Sequence, residues 1–174
     1  WERSCIQPGD KMAVCRRNSA HWAVGFLATV TYGAVIVPSL HEFKADNIQN
    51  IVNHSEAKLL FVGDRAWENL NEEAMPLLMG VVLLTDFTPV VCRDERLMEA
   101  FEHRNAIYGA RYPKNFRPEH ICYRQEQSPE EPAVINYPSG TTGYSKGVVL
   151  PSRSLWSNIA YCHSMLPVRP GHPY

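Results

Sequence analysis

Short, uninterrupted apolar runs that alternate with helical patterns constrain this chain more than any other feature. Residues 11–15, 34–37, 59–62 and 81–84 read as strands in which nearly every position is apolar. Strands exposed to water on one face show apolar residues at every second position, so continuous runs predict strands covered on both faces. Helical patterns fill the intervals. One is expected over about residues 20–31, opened by Asn18-Ser19 and stopped by Tyr32-Gly33. A second is capped by Asp46, with Gln49 at the capping-box position and Ile48, Ile51 and Val52 on one face. A third runs from about Arg65 to Met75 and ends at Pro76, and a charged amphipathic helix is expected from Arg93 to about Tyr108. Each apolar run alone is ambiguous between strand and buried helix. Their regular alternation predicts an α/β fold, a largely parallel sheet flanked by helices.

The chain changes character over residues 111–132. Pro113, Pro118, Pro129 and Pro132, interleaved with Glu126, Glu130 and Glu131, predict an irregular connection. The expected organisation is an αβ subdomain over 1–110, the connection over 111–132, and a strand–loop–strand unit with a following helix over 133–174, the start of a second αβ subdomain.

Bulk properties exclude several classes. With 17 basic and 18 acidic residues the net charge is −1, which gives no general attraction to nucleic acid or an anionic membrane. Residues 18–40 contain no Lys, Arg, Asp or Glu, but the cap, the glycine stop and the β-branched run before Pro38 divide them into a helix and a strand, so no transmembrane span is expected. Cys5, Cys15, Cys92, Cys122 and Cys162 are odd in number and scattered, against a disulfide framework. His120 and Cys122 are close, but two ligands fall short of the four of a structural zinc site, and no metal ligands are assigned. The scattered cysteines make a reduced, cytoplasmic setting the expectation, and no secretory signal precedes the first folded pattern after Trp1.

The stretch richest in chemistry is Asn136-Tyr137-Pro138-Ser139-Gly140-Thr141-Thr142-Gly143-Tyr144-Ser145-Lys146-Gly147, between the apolar runs Ala133-Val134-Ile135 and Val148-Val149-Leu150. Its glycines let the backbone approach a ligand and turn N–H groups inward. Ser139, Thr141 and Thr142 add hydroxyl donors, and Lys146 adds a mobile positive charge. This combination suits the phosphates of a nucleotide, where each charged hydrogen bond contributes about 1.5–3 kcal/mol. It is not a Walker A loop, which needs Gly before its Lys and Ser or Thr after it and opens a helix. Here Ser145 precedes Lys146, Gly147 follows, and a strand comes next. The grip must therefore come from the loop's own donors and Lys146 rather than from a helix dipole.

Ser-Gly-Thr-Thr-Gly, then two residues, then Lys-Gly resembles the phosphate-loop signature of the AMP-binding, adenylate-forming enzymes, a family that includes acyl-CoA synthetases, luciferases and peptide-synthetase adenylation domains. The resemblance extends along nearly the whole chain. Gly9 to Val14, Asn18-Ser19 with Trp22, Tyr32 to Pro38, Asn53 to Lys58 and Ser154 to Asn158 are similar to family segments in the expected order. Two positions depart from the pattern. Pro138 stands where the family has Thr or Ser, which removes a hydroxyl and a backbone N–H, and Ser145 replaces Pro, which frees the backbone before Lys146.

The resemblance implies an N-terminal fragment of an ATP-dependent long-chain fatty acid–CoA ligase, inactive by itself. The ligase joins a carboxylate to AMP with release of pyrophosphate and passes the acyl group to the thiol of coenzyme A. It implies that Ser139, Gly140, Thr141, Thr142, Gly143, Lys146 and Gly147 hold ATP phosphates, with catalytic residues and most of the Mg2+ site outside residues 1–174. Partners are then small molecules (ATP, fatty acid and coenzyme A), not nucleic acid, with room for peripheral membrane contact by the longer protein. An adenylating enzyme for an aryl or amino acid is the alternative within the class, and a non-catalytic nucleotide-binding or structural module the alternative outside it. His41 and Glu42 are expected in a loop, residues 94–104 on a solvated helix face, and Trp22 and Trp156 in helix-face packing.

Overall fold

A computed structural model describes residues 4–112, 114, 117, 128–138 and 146–165. The strands are β1 (Lys11–Cys15), β2 (Val35–Ser39), β3 (Leu59–Val62), β4 (Gly80–Leu83), β5 (Pro89–Cys92), β6 (Pro132–Asn136) and β7 (Val148–Pro151). The α-helices are α1 (Ala20–Tyr32), α2 (Ala45–Ser55), α3 (Asp64–Trp67), α4 (Glu95–Glu102), α5 (Arg104–Arg111) and α6 (Ser152–Met165). The seven strands form one sheet in the order β5-β4-β3-β1-β2-β6-β7. Five of them, from β4 to β6, are mutually parallel, and an antiparallel strand closes each edge. This is the parallel sheet flanked by helices that the alternation of patterns predicts.

Both faces of the central strands are buried because neighbouring side chains point to opposite sides. Met12 and Val14 join Ile36, Leu59, Phe61, Val82 and Leu84 in one cluster, against Trp22, Phe26 and Val30 of α1. Ala13 and Cys15 join Val37, Leu60, Val62 and Val81 in the other, against Ile48, Ile51 and Val52 of α2. The chain leaves β1 for β2 on one side and returns past β1 to β3 on the other. Successive crossovers of the same hand therefore put α1 and α2 on opposite faces.

The caps of α1 are those expected. Ser19 accepts from the Trp22 N–H at 3.2 Å, and Gly33 ends the helix in the left-handed region at φ 88°. β2 runs on through Pro38, beyond the pairing of Ile36 with Val134 of β6. No helix among the described residues is long and apolar enough to cross a membrane.

Other expectations are corrected. Asp46 lies in the first turn of α2, whose N-cap is Lys44 with no side-chain cap bond, and Gln49 instead accepts from the Asn71 N–H at 2.8 Å. The helix expected from Arg65 to Met75 is only the short α3 and a 3-10 turn, Glu72–Ala74. Two asparagines divert the backbone between them: Asn69 donates to the Arg65 carbonyl at 2.8 Å, and Asn71 accepts from the Glu73 N–H at 3.0 Å. The single helix expected from Arg93 starts later and is two. Arg93 is held outside by the carbonyls of Met75, Leu78 and Glu72, and Asp94 becomes the N-cap of α4, accepting from the N–H groups of Arg96 and Leu97. At His103 the backbone leaves the helical region, and the Arg104 guanidinium takes up the Phe101 carbonyl there at 3.2 Å.

Candidate functional site

The stretch singled out by its sequence joins β6 to β7. Register sets Asn136 opposite Val148, so Tyr137 and Gly147 are the first residues past the paired ends. Ser139, Gly140, Thr141, Thr142 and Gly143 lie outside the described residues, as do Tyr144 and Ser145. Pro138, Lys146 and Gly147 lie within them and are exposed. Lys146 forms no ion pair among the described residues, so its ammonium is held by no carboxylate there. An exposed cation at the end of a hairpin, clear of the packed sheet, is placed to meet an anion arriving from solvent.

Tyr137 is the opposite kind of residue. It is 4% exposed and belongs to the cluster formed with α2. Alternation along β6 explains the placement: Val134 faces the α1 cluster, while Ile135 and Tyr137 both pack on the α2 side. The phenol oxygen lies 2.8 Å from Nδ1 of His54 in the last turn of α2. The two rings meet edge to face, with centroids 5.7 Å apart at 88°. Burial pushes the phenol up from its ordinary value, so at neutral pH the group keeps its proton. It then donates to an unprotonated Nδ1 or accepts from a protonated one.

Gly147 closes the same contact from the other side. A Cβ there would sit 2.9 Å from Ile135 Cγ2, 3.1 Å from Tyr137 Cζ and 3.2 Å from Tyr137 Oη. No ordinary side chain fits unless the tyrosine moves, so Gly147 has a packing reason of its own. The sequence reading names Gly147 for a ligand and gives Tyr137 and His54 no role. The one signal for Tyr137 is its spacing of two from Ile135, which puts both on one face of the strand.

Other polar groups gather at the ends of the parallel strands. At the carboxyl ends, the point where ligands of open α/β sheets bind, Arg16 donates to Thr85 at 3.4 Å, and Thr85 donates to Asp64. Arg17 donates to Nε2 of His41 at 2.9 Å, and Glu42 lies 3.7 Å from that nitrogen. At the amino ends the Lys58 ammonium meets Asp10 at 2.8 Å, tying the entries of β1 and β3. These pairs satisfy one another. Among the described residues no group of His, Cys, Asp and Glu could hold a metal ion, and His120 and Cys122 lie outside them. Cys5, Cys15, Cys92 and Cys162 are free thiols. Trp22 packs against the α1 cluster and stacks on Phe26 at 5.2 Å. Trp156, expected to pack likewise, is instead 70% exposed, because only Leu155 on that turn reaches the core.

Comparison with known proteins places this geometry. Residues 3–173 match the family model described as AMP-binding enzyme. Long-chain-fatty-acid–CoA ligase 5 of Rattus norvegicus is 26% identical over 155 residues, covering 86% of this chain and 22% of that protein. A nonribosomal peptide synthetase of a Lecanicillium species is 27% identical over 154 residues, covering 88% of this chain and 2% of that protein. The crystal structure of ATP-bound MatB from Rhodopseudomonas palustris has the same fold. It superposes with a TM-score of 0.64 at 21% identity, over 92% of this chain and 28% of that one. The chain thus spans about a quarter of MatB and of the rat ligase. With a family match along almost its whole length, the chain belongs to the AMP-binding enzymes.

Proposed function

We propose that the full-length protein carrying this chain is an ATP-dependent fatty acid–CoA ligase. The observation that carries the reading is the exposed Lys146 at the end of the β6–β7 connection, separated by two residues from Ser-Gly-Thr-Thr-Gly. In this reading Ser139, Gly140, Thr141, Thr142, Gly143, Lys146 and Gly147 grip the β- and γ-phosphates. Their work is electrostatic. Donors and a cation set in advance around the phosphates steady the departing pyrophosphate as a carboxylate takes the adenylyl group. Coenzyme A then takes the acyl group from AMP. The described residues offer Mg2+ no ligand set, and none of them is assigned to it. The rat long-chain ligase supports a fatty acid as the acid. Free thiols at Cys5, Cys15, Cys92 and Cys162 support a reduced, cytoplasmic setting.

A second reading has its own support. The peptide synthetase matches this chain at 27% identity, much as the rat ligase does, which favours an amino or aryl acid equally on sequence. Acid-dependent ATP–pyrophosphate exchange by the full-length protein, run across fatty, aryl and amino acids, separates the two. Exchange with long-chain fatty acids is the expected result. Exchange with amino or aryl acids alone transfers the assignment to the second reading. No exchange with any acid, but ATP binding lost on Lys146→Ala, leaves a nucleotide-binding module. Residues 1–174 alone are expected to form no acyl-CoA, which direct assay of that piece checks.

A further inference from the structure

We infer that Tyr137, pinned by His54, is a positioning residue for Lys146 and Gly147, so that the ATP grip depends on a helix far away in sequence. The inference rests on the phosphate-binding reading above and adds to it the part that sets the grip's geometry.

Three observations converge. Tyr137 and Gly147 are the residues that close the hairpin, and they touch: the phenol carbon and oxygen lie within 3.1 and 3.2 Å of where a Gly147 Cβ would be. The phenol is thus a floor beneath the backbone that leads into Lys146. It is fixed at its far end, because His54 holds its oxygen at 2.8 Å and packs edge-on against its ring. Finally, α2 is itself anchored, with Ile48, Ile51, Val52 and Ser55 buried on the sheet. The path from α2 through His54 and Tyr137 to Gly147 is therefore one of continuous contact. Lys146 lacks any such support of its own, being exposed and free of ion pairs among the described residues. A cation on a flexible stem is effective only if its Cα is held in place. The Tyr137 ring supplies volume, whereas its hydroxyl supplies direction, since the hydrogen bond selects one position of the ring against Gly147.

The distinction between volume and direction gives the test. Pyrophosphate exchange by the full-length protein is measured at varied ATP and varied carboxylate for Tyr137→Phe, His54→Ala, His54→Gln and the double variant Tyr137→Phe/His54→Ala. Tyr137→Phe keeps the ring and is expected to weaken kcat/KM for ATP about 5- to 10-fold, from the loss of one hydrogen bond, with KM for the carboxylate unchanged. His54→Ala should match it, the double variant should be no worse than either single one, and His54→Gln, which can still donate or accept, should recover most of the loss. A structural role alone would move both substrates together and would show no rescue. Lys146→Ala serves as the control. If Lys146→Ala weakens ATP use and neither Tyr137→Phe nor His54→Ala does, the positioning role is overturned and the phosphate reading stands. If Lys146→Ala itself has no effect, both fall. Should Tyr137→Phe fold poorly, the His54 pair of variants decides alone, because His54 lies at the exposed end of α2. Additive losses in the double variant would also overturn the link.

Discussion

β3 and β7 are spelled with much the same residues, Leu-Leu-Phe-Val and Val-Val-Leu-Pro, yet they live in different surroundings. Every residue of β3 is at most 2% exposed, whereas Val148 and Val149 of β7 are 48% and 54% exposed. The middle of the sheet is covered from both sides by α1 and α2, so its shape is fixed by bulk packing. β7, at the edge of the sheet, has no such double cover, and the outer end of the β6–β7 hairpin relies on particular contacts such as His54 to Tyr137. The part of the molecule proposed to grip phosphates is thus the part held by few, specific groups.

The sharpest way to break this comparison is truncation of matched side chains. Leu59→Ala in the centre should cost about 2–5 kcal/mol of stability, from lost transfer energy and the cavity left behind. Val149→Ala at the edge should stay within about 0.5 kcal/mol, read from chemical denaturation midpoints of the two variants. Equal losses would mean the edge is as tightly packed as the centre. In function the ranking reverses. Lys146→Ala should lower adenylation by the full-length protein about 10- to 100-fold while leaving the melting temperature unchanged, and an unchanged exchange rate would remove Lys146 from the site.

Gly147→Ala sharpens the boundary between the two regimes. Its methyl group meets Ile135 and Tyr137 at once, so a loss of about 1–3 kcal/mol is expected, with weaker ATP use alongside. Thermal melts combined with exchange kinetics would show whether the two losses travel together. A smaller loss than at Gly147 concerns the cover of the central strands. Asp94→Ala removes the cap of α4, whose Leu97 is buried under the sheet, and should cost about 1 kcal/mol. The hydrogen bond from Arg96 holds the Asp94 carboxyl below its ordinary range. Its folded pKa is thus depressed, so the contribution is present above the usual carboxylate range and is lost as the pH falls through the lower value. Wild-type and variant melting temperatures should accordingly converge in acid. A gap that persists there would assign the effect to helix propensity instead.

Much of the centre was legible because apolar runs of four at 12–15 and 59–62, each ambiguous alone, alternate with helical patterns, and that alternation suits strands buried on both faces. Ser19 and Gly33 announced the ends of α1 through backbone chemistry that is local to each. What stayed hidden depends on partners distant in sequence. Nothing near Arg93 says that three carbonyls from the 72–78 region will hold it out of the helix. The hairpin of β4 and β5 was missed because its turn places Phe87 in the left-handed region at φ 59°, where a glycine or asparagine would have given the signal. At the site, the order of glycines, hydroxyls and Lys146 was readable as chemistry. The support beneath it was not, since Tyr137 and His54 stand 83 positions apart and neither is unusual alone.

The helix that follows the hairpin brings an optical consequence. α6 displays Trp156, Ile159, Tyr161 and Met165 at 70%, 58%, 63% and 63% exposure, large apolar side chains turned to water around the helix. An indole so placed emits at long wavelength and is open to collisional quenchers, while Trp22 and Trp67 are partly shielded by the two cores. Anything that covers Trp156, another stretch of polypeptide or another molecule, will shift its emission toward the blue and protect it from iodide. Trp156 is thus an intrinsic fluorescent reporter of its own cover, a short step along the chain from Lys146.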